Sequence, residues 1–213
     1  SNYSIENIWM TEKFLSDDNN KRTINKIKNN FPLDIISEKD IMRISTVNTA
    51  QGIIALINYN ININNIVYGP ALLLDNISNP GNLGTILRSA EWFGMKNIFV
   101  STNSTDPYSP KTIQSSMGAH FYIPSIIQTN LIKVINKYKK EGYSIIGTSL
   151  NGVAIDDANK NKKWILLLGN EAHGLSKEIN KYVDYHITIN KLGNMDSLNV
   201  AMASSIILSN LMN

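Results

Sequence analysis

The sequence predicts an α/β protein whose main part is a parallel β-sheet covered by helices on both sides. Two observations from about residue 66 onward predict this fold. Short apolar segments alternate with segments of helical periodicity, and the apolar segments lack the polar–apolar alternation of a half-exposed strand. Strands that are apolar on both faces are typical of parallel sheets buried between helices. The predicted strands are 71–75, 97–101, 143–148, 164–169 and 185–189.

Three helices in this part have clear boundaries. One follows Asn79, begins with Pro-Gly and ends at Gly94, and another has Ser109 as its N-cap and Pro110 at its first position. The last predicted helix, from about residue 198 to 212, contains no charged residue. Such a helix must be buried against the core or against a second subunit.

The first 58 residues have a different, mixed α/β pattern. They contain predicted strands at Ile8–Met10, Leu33–Ile36 and Gly52–Ile57, a helix from about Asp18 to Asn29, and a helix begun by Ser37. This part carries seven acidic and seven basic residues and therefore has no charge signature of its own. The asparagine- and isoleucine-rich stretch 58–65 is interpreted as a linker.

The composition excludes several classes of protein. Of the 213 residues, 43% are hydrophobic and 17% are charged, which is typical of a folded globular chain. There is no cysteine, so disulfides and thiolate metal sites are excluded, and a reducing cytoplasm is indicated. The longest apolar runs are too short to cross a bilayer.

The positive charge is unevenly distributed. The formal net charge is only +3, which permits RNA binding without requiring it. Two lysine clusters stand out, and each can be interpreted as a solvated surface or as part of a nucleic-acid contact. The clusters are Lys133, Lys137, Lys139 and Lys140, and Lys160, Lys162 and Lys163.

The first of three motifs, NPGNLGTILRSAEWFG, spans Asn79 to Gly94 directly after a predicted strand. Gly81 and Gly84 permit a tight strand-to-helix turn, and the free N–H groups of a helix start attract anions. Arg88 lies one to two turns into the helix. An ordinary turn with a surface arginine explains the motif equally well, and the GxGxxG pattern of dinucleotide-binding proteins is missing.

The second motif, WILLLGNEAHGLS, spans Trp164 to Ser176. Ligands in open α/β sheets bind beyond the carboxyl ends of strands, where Gly169 to Gly174 are expected. Glu171 there would contact a polar ligand group or cap a helix, whereas His173 is interpreted as a polar loop residue. The scattered His120, His173 and His186 form no metal-ligand pattern.

The third motif, KLGNMDSLNVAMASSIIL, places Ser197 and Asn199 where a loop becomes the last helix. Either Ser197 or Asp196 is a suitable N-cap for that helix. Neutral hydrogen-bonding side chains beside an apolar helix are also suited to ligand recognition.

Together, the three motifs resemble the SpoU (TrmH) family of RNA ribose 2'-O-methyltransferases in the SPOUT superfamily, over residues 66–213. The resemblance implies an α/β sheet whose C-terminal part forms a deep trefoil knot. It also implies S-adenosylmethionine bound in the knot, a homodimer whose active site lies at the subunit interface, and no metal. One departure is Asn79, where many relatives have an acid.

The resemblance also assigns roles to residues of this sequence. It implies that the catalytic residues are Arg88, Asn82, Glu171, Ser197 and Asn199. The residues implied for cofactor binding are Thr148, Ser149, Leu150, Leu168, Gly169, Asn170, Glu171, Gly174, Ile189 and Leu198. Arg88 would contact the target phosphate and 2'-oxygen and stabilise developing negative charge. A guanidinium almost never deprotonates, so the RNA phosphate or water is the expected proton acceptor.

Residues 1–58 resemble, more weakly, the small L30e-like RNA-binding domain that precedes the catalytic domain in rRNA-modifying relatives, and we expect it to be truncated at its start. This leader favours structured ribosomal RNA of the 23S type as substrate. Two alternatives stay open: a tRNA ribose 2'-O-methyltransferase, and an inactive RNA-binding or assembly protein of the same fold. We set aside a nucleotide-dependent oxidoreductase and a P-loop enzyme, because this sequence contains neither the GxGxxG motif of the first nor the GxxxxGK(S/T) motif of the second.

Overall fold

The computed structural model describes residues 3–47, 49–59, 69–157 and 163–212. The chain separates into two compact units, Ser1–Asn60 and Ile61–Asn213. Each unit has its own β-sheet. In the described part of the chain, no helix is both long enough and apolar enough to cross a membrane.

The N-terminal unit contains a three-stranded sheet of order β2-β1-β3, in which β2 is parallel and β3 antiparallel to β1. Its small core consists of Ile8, Met10 and Ile24 with partly buried apolar neighbours. Asn58 and Tyr59, predicted as the start of a linker, belong to β3, and the rest of that stretch lies outside the described residues. The elements are β1 (Tyr3–Met10), α1 (Glu12–Ser16), α2 (Lys21–Lys28), β2 (Leu33–Ile35), α3 (Glu38–Ile44) and β3 (Ile53–Tyr59).

The second unit contains a six-stranded sheet of order β6-β5-β4-β8-β7-β9, with every neighbouring pair parallel. The predicted parallel α/β fold is therefore confirmed. The strands are β4 (Ala71–Leu74), β5 (Asn97–Ser101), β6 (Ser125–Thr129), β7 (Ser144–Ala154), β8 (Trp164–Leu168) and β9 (Tyr185–Thr188). The helices are α4 (Pro80–Trp92), α5 (Pro110–Ser116), α6 (Leu131–Lys140), α7 (Lys177–Asn180) and α8 (Val200–Met212).

The sheet is covered on both faces because its central strands are apolar on both sides. All residues of β4, β5 and β8 are buried. Alternate side chains of these strands enter two separate apolar clusters, one with α4 and α8 and the other with α6 and α7. The second unit thus has two helical layers, and the carboxyl ends of the strands lie together at one edge of the sheet.

Helix α4 is positioned by its cap and by a close approach to α5. The Asn79 side chain accepts hydrogen bonds from the N–H groups of Gly81 and Asn82. A Cβ at Gly84 would lie 1.9 Å from Ser115 Oγ, so only glycine allows this contact between the two helices.

Three boundaries differ most from the prediction. In the first unit, β1 begins at Tyr3 and not at Ile8, because its first residues pair with the end of β3. β7 continues to Ala154 because Val153 and Ala154 pair with β9 beyond a looped-out segment. Helix α8 begins at Val200, and its cap is Asn199, whose Oδ1 accepts from the N–H groups of Ala201 and Met202 at 2.9 and 3.4 Å. The prediction of Ser197 or Asp196 as the cap was therefore wrong, because both precede the first helical turn by too many residues.

Candidate active site

A cavity of about 1000 Å³ lies beyond the carboxyl ends of β8 and β9 and beside the looped-out part of β7. Most of its wall comes from four segments, residues 148–151, 168–175, 186–193 and 195–198. All ten residues that the sequence assigns to the cofactor lie in this wall, as does Ser197. The ten are Thr148, Ser149, Leu150, Leu168, Gly169, Asn170, Glu171, Gly174, Ile189 and Leu198.

The loop after β8 is a tight turn closed by its own backbone. The backbone groups of Asn170 and Gly174 exchange two hydrogen bonds, of 3.0 and 2.8 Å. A Cβ at Gly169 would lie 2.2 Å from the carbonyl carbon of Gly174, so this closure requires glycine at position 169. The side-chain oxygen of Asn170 accepts from the N–H of Ala172 at 2.9 Å, which fixes the tip of the turn.

Two consecutive residues after β4 hold both ends of this loop. The Asn170 amide donates to the carbonyl oxygen of Asn76 at 3.0 Å, and the buried Asp75 carboxylate accepts from the N–H of Ser176 at 2.8 Å. Asn76 has a positive φ of 56°, a conformation that aims its carbonyl group away from the regular strand direction. We call Asp75 and Asn76 the loop clamp. No local sequence pattern marks it, because its partners are distant in sequence.

Side chains of all three motifs meet beside the cavity. Asn82, in the first turn of α4, donates from Nδ2 to Oε1 of Glu171 in the loop after β8. Asn199, the cap of α8, donates from Nδ2 to Oδ1 of Asn82 at 3.0 Å. The structure therefore joins three of the five predicted catalytic residues into one chain of hydrogen bonds, Asn199–Asn82–Glu171. The chain fixes the orientation of both amides.

The other two predicted catalytic residues are placed differently. Ser197 is exposed in the cavity wall. Arg88 is exposed on α4, and among the described residues its side chain makes no hydrogen bond and no salt bridge. The guanidinium is thus available to a ligand, but this chain alone does not bring it into contact with Asn82 or Glu171.

The profile of the SpoU rRNA Methylase family matches residues 69–209, which include every side chain of this site. The chain belongs to the SpoU family. The predicted family relationship is confirmed.

Named relatives agree with this assignment. The chain is 33% identical over 141 residues to the 23S rRNA (guanosine(2553)-2'-O)-methyltransferase RlmP of Bacillus subtilis, which covers 66% of this chain and 56% of the relative. The chain spans little more than half the length of the curated relatives it matches.

Solved structures extend the likeness to nearly the whole chain. A TrmH-family RNA methyltransferase structure from Porphyromonas gingivalis has a TM-score of 0.84 at 30% identity, covering 98% of this chain and 82% of that one. The SpoU methyltransferase AviRb from Streptomyces viridochromogenes, solved with AdoMet, has a TM-score of 0.84 at 23% identity, covering 99% of this chain and 83% of that one. The latter likeness concerns the fold.

Several polar residues of this SpoU-family site were not assigned a role in it from the sequence. His186 lies in the cavity wall, and its Nε2 is 2.8 Å from Oδ1 of Asn180, which is also in the wall. Lys191 adds a cation to the wall. No group of histidine, aspartate and glutamate side chains suited to a metal ion occurs among the residues that the structure describes.

His120, by contrast, lies apart from the cavity wall and has a structural role. Its ring is buried, Nε2 donates to the carbonyl oxygen of Pro107 at 2.6 Å, and Nδ1 lies 2.8 Å from Ser116 Oγ. Burial lowers the pKa of His120 below its ordinary value, although the Pro107 carbonyl and the charge of Asp106 act in the opposite direction. His120 therefore favours its neutral form in the fold.

Proposed function

We propose that this protein transfers a methyl group from S-adenosylmethionine to a ribose 2'-hydroxyl of structured RNA, with 23S-type ribosomal RNA as the favoured substrate. The observation that carries the proposal is the hydrogen-bonded chain Asn199–Asn82–Glu171. It brings side chains of all three motifs to the cavity whose wall contains every predicted cofactor residue. Membership of the SpoU family and the similarity to RlmP support the same reaction.

The cavity suits S-adenosylmethionine in size and chemistry. Its volume of about 1000 Å³ lies at the upper end of small-molecule sites, so an adenosine group and an amino-acid group fit together. Leu150, Leu168, Ile189 and Leu198 provide apolar surface for a flat base. When bound, the cofactor would supply an activated methyl group on a cationic sulfur, and the Glu171 carboxylate places negative charge in the same wall.

We assign Arg88 the role of contacting the substrate RNA. A guanidinium keeps its charge and offers a planar set of donors that matches a phosphate. It would hold the target phosphate and stabilise negative charge on the 2'-oxygen, in the manner of an oxyanion hole. The 2'-hydroxyl proton then passes to the RNA phosphate or to water, since Arg88 cannot accept it.

We assign Asn82 and Glu171 the role of orienting the ribose and the cofactor. Asn82 uses one N–H and its oxygen within the chain of hydrogen bonds, so its second N–H points in a fixed direction and is free to donate to substrate. Ser197 adds a hydroxyl to the cavity wall. These groups would fix the ribose and the methionine end of the cofactor relative to each other, which accelerates a two-substrate reaction.

A homodimer would complete the site. Helices α4 and α8 are neighbours, joined by a 2.7 Å hydrogen bond between Ser89 and Ser205. Their outer surface exposes Trp92, Met202 and Ile206 by 82%, 62% and 43%, and Arg88 lies one turn before Trp92. Exposed apolar surface of this kind marks an interaction site, and a second copy of the chain would bury it and place Arg88 at the subunit boundary.

The finer features of the fold belong to the same proposal. Thr148 and Val153 of β7 both pair with Ile187 of β9, so the segment between them loops out beside a later strand. The family resemblance implies a deep trefoil knot in this part of the chain, and we propose that the looped-out segment belongs to it. Residues 1–58 would act as an L30e-like RNA-binding domain and 66–213 as the catalytic domain, and the reaction would take place in the cytoplasm.

A methyl-transfer assay tests the function. Labelled S-adenosylmethionine is incubated with the protein and with rRNA or tRNA from cells that lack this activity, and the RNA is digested to nucleosides. We expect label in rRNA as a 2'-O-methylated nucleoside. Label in tRNA would select the tRNA alternative, and label on a base would contradict ribose methylation. RNA binding without any label would select the inactive assembly protein.

A further inference from the structure

The helical layer on the α6–α7 side of the sheet carries a concentration of positive charge. Seven exposed lysines lie on α6, on α7 and beside them. Only three acidic residues lie in the same region, so positive charges outnumber negative ones by four. This excess exceeds the formal charge of +3 of the whole chain. We call this surface the lysine face; its members are Lys133, Lys137, Lys139 and Lys140 of α6, Lys163 before β8, and Lys177 and Lys181 at α7.

The two helices present these lysines on one side because they share a core. Leu131, Val134, Ile135 and Tyr138 of α6 and Ile179 of α7 are buried in the same apolar cluster. Lys133, Lys137 and Lys140 follow one another at intervals of four and three residues, which places them on a single stripe of α6. That stripe lies away from the buried one.

Most of these charges have no ion-pair partner among the residues that the structure describes. Lys139 pairs with Asp184 at 2.9 Å, and Lys163 donates to the carbonyl oxygen of Glu141 at 3.1 Å. The other five form no ion pair with any residue in the described ranges.

The helix dipole favours the three lysines in the last turn of α6, but two features of the stripe oppose helix stability. Like charges four residues apart repel each other, and a cation in the first turn, such as Lys133, opposes the helix dipole. A polyanion bound along the stripe would remove this repulsion.

The lysine face begins at the cavity. Leu175 is in the cavity wall, and Lys177 follows two residues later as the first residue of α7. We propose that the lysine face binds the phosphate backbone of the substrate RNA where the RNA extends from the target nucleotide. This inference rests on the proposed function. It assigns RNA contacts to a surface of the catalytic unit in addition to Arg88 and the cavity.

The experiment measures RNA binding separately from turnover. The triple variant Lys133→Gln/Lys137→Gln/Lys140→Gln removes charge from the stripe, and Lys133→Arg/Lys137→Arg/Lys140→Arg keeps the charge at the same positions. Lys96→Gln is a control on a single exposed lysine outside the lysine face. Fluorescence anisotropy gives the Kd for labelled rRNA as a function of salt, calorimetry gives the Kd for S-adenosylmethionine, and label incorporation gives kcat.

We expect the glutamine triple to bind rRNA about 10-fold more weakly at low salt, with a log Kd–log salt slope smaller by about 3, one unit for each lost phosphate contact. Its cofactor Kd and its kcat at saturating RNA should stay unchanged, and the arginine triple and Lys96→Gln should bind as the wild type does. An unchanged rRNA Kd and salt slope in the glutamine triple would overturn the proposal.

Two further outcomes are decisive. If the wild type incorporates no label but the glutamine triple still loses rRNA affinity, the lysine face holds RNA and only the proposed function fails. If the wild type binds vesicles of anionic phospholipid through these lysines and does not bind rRNA, the proposal is overturned in favour of a membrane surface.

Discussion

Asn82 is the residue through which the three motifs act on one another. Its two amide atoms are both engaged, Nδ2 with Glu171 and Oδ1 with Asn199, so its orientation is determined by the fold before any ligand binds. Asn199 in turn is fixed because its oxygen caps α8. A donor that is already oriented needs little reorganisation during reaction, which is how polar groups contribute most to catalysis.

The first prediction concerns Arg88. Because its guanidinium is exposed and unpaired among the described residues, replacing it should leave the fold and cofactor binding intact. We expect Arg88→Ala to lower kcat by about 10²- to 10³-fold. Arg88→Lys keeps the charge but loses the planar pair of donors, and we expect a loss of about 10- to 100-fold. Near-normal turnover of Arg88→Lys in steady-state assays would show that planar geometry is irrelevant.

The second prediction concerns His120 and pH. The pKa of His120 is lowered in the fold from 6.5, its value in an unfolded chain. The unfolded state therefore binds more protons below pH 6.5. The contribution of neutral His120 is fully present above that pH and is lost as the pH falls below it.

Urea unfolding between pH 5 and 7.5 measures this effect. We expect stability to fall toward acid by up to about 1.4 kcal/mol per pH unit from this one group. His120→Gln, although less stable overall, should have a flatter pH dependence. Parallel pH profiles for His120→Gln and the wild type would rule out this role of His120.

At the scale of elements, the loop after β8 is held both by its own backbone and by residues that follow a neighbouring strand. Its closing turn spans only Asn170 to Gly174, and its ends are held by the loop clamp after the neighbouring strand β4. The loop lies in the cavity wall, so the clamp should determine cofactor affinity although neither Asp75 nor Asn76 is in the wall.

The third prediction tests the clamp with Asp75→Asn. Asparagine keeps an acceptor oxygen but loses its charge, and a hydrogen bond to a neutral acceptor contributes about 0.5–1.5 kcal/mol against about 1.5–3 kcal/mol for a charged one, so one end of the loop is held more weakly. We expect the Kd for S-adenosylmethionine, measured by calorimetry, to rise about 10-fold. Asp184→Asn is a matched control, because Asp184 accepts the Ile145 N–H at the same distance of 2.8 Å but lies outside the cavity wall.

Both substitutions should lower the melting temperature, since each replaces a charged hydrogen-bond acceptor with a neutral one. Only Asp75→Asn should weaken cofactor binding. Equal cofactor affinity in the two variants would mean that the clamp is merely structural.

The sequence predicted elements wherever local signals were strong. The strand 97–101 and the start of α5 at Pro110 match the structure, because an apolar run and a Ser-Pro cap depend on neighbouring residues. β6 was not predicted, because its five residues include polar ones at both ends. The α8 cap was misplaced because serine, aspartate and asparagine occur together before that helix.

In the candidate site, too, local sequence motifs could be recognised, whereas contacts between distant residues could not. The family resemblance assigned ten residues to the cofactor, six of them within the motifs, and all ten lie in one cavity wall. The loop clamp could not be predicted, because Asp75 and Asn76 have partners 101 and 94 residues away. Such contacts follow from the order of strands in the sheet, and no local pattern encodes that order.

At the scale of the whole molecule, the exposed surface of α4 and α8 leads to the fourth prediction. Trp92→Glu places a charge in the proposed subunit interface. We expect the mass in solution, measured by light scattering, to fall from that of two chains to that of one, and methyl transfer to fall with it. Met42→Glu, which charges an exposed methionine of the N-terminal unit, should leave the mass unchanged. A monomeric wild type with full activity would contradict the dimeric site.

The central claim is that this fold methylates a ribose of RNA at the site that contains Arg88. The most direct test is mass-spectrometric mapping of rRNA after reaction with the wild type or with Arg88→Ala, with cofactor binding measured for both. We predict one methyl group on a single ribose with the wild type, formed at least about 100-fold more slowly by Arg88→Ala at an unchanged cofactor Kd. Formation of this methyl group by Arg88→Ala at the wild-type rate, or a methyl group on a base, would contradict the account.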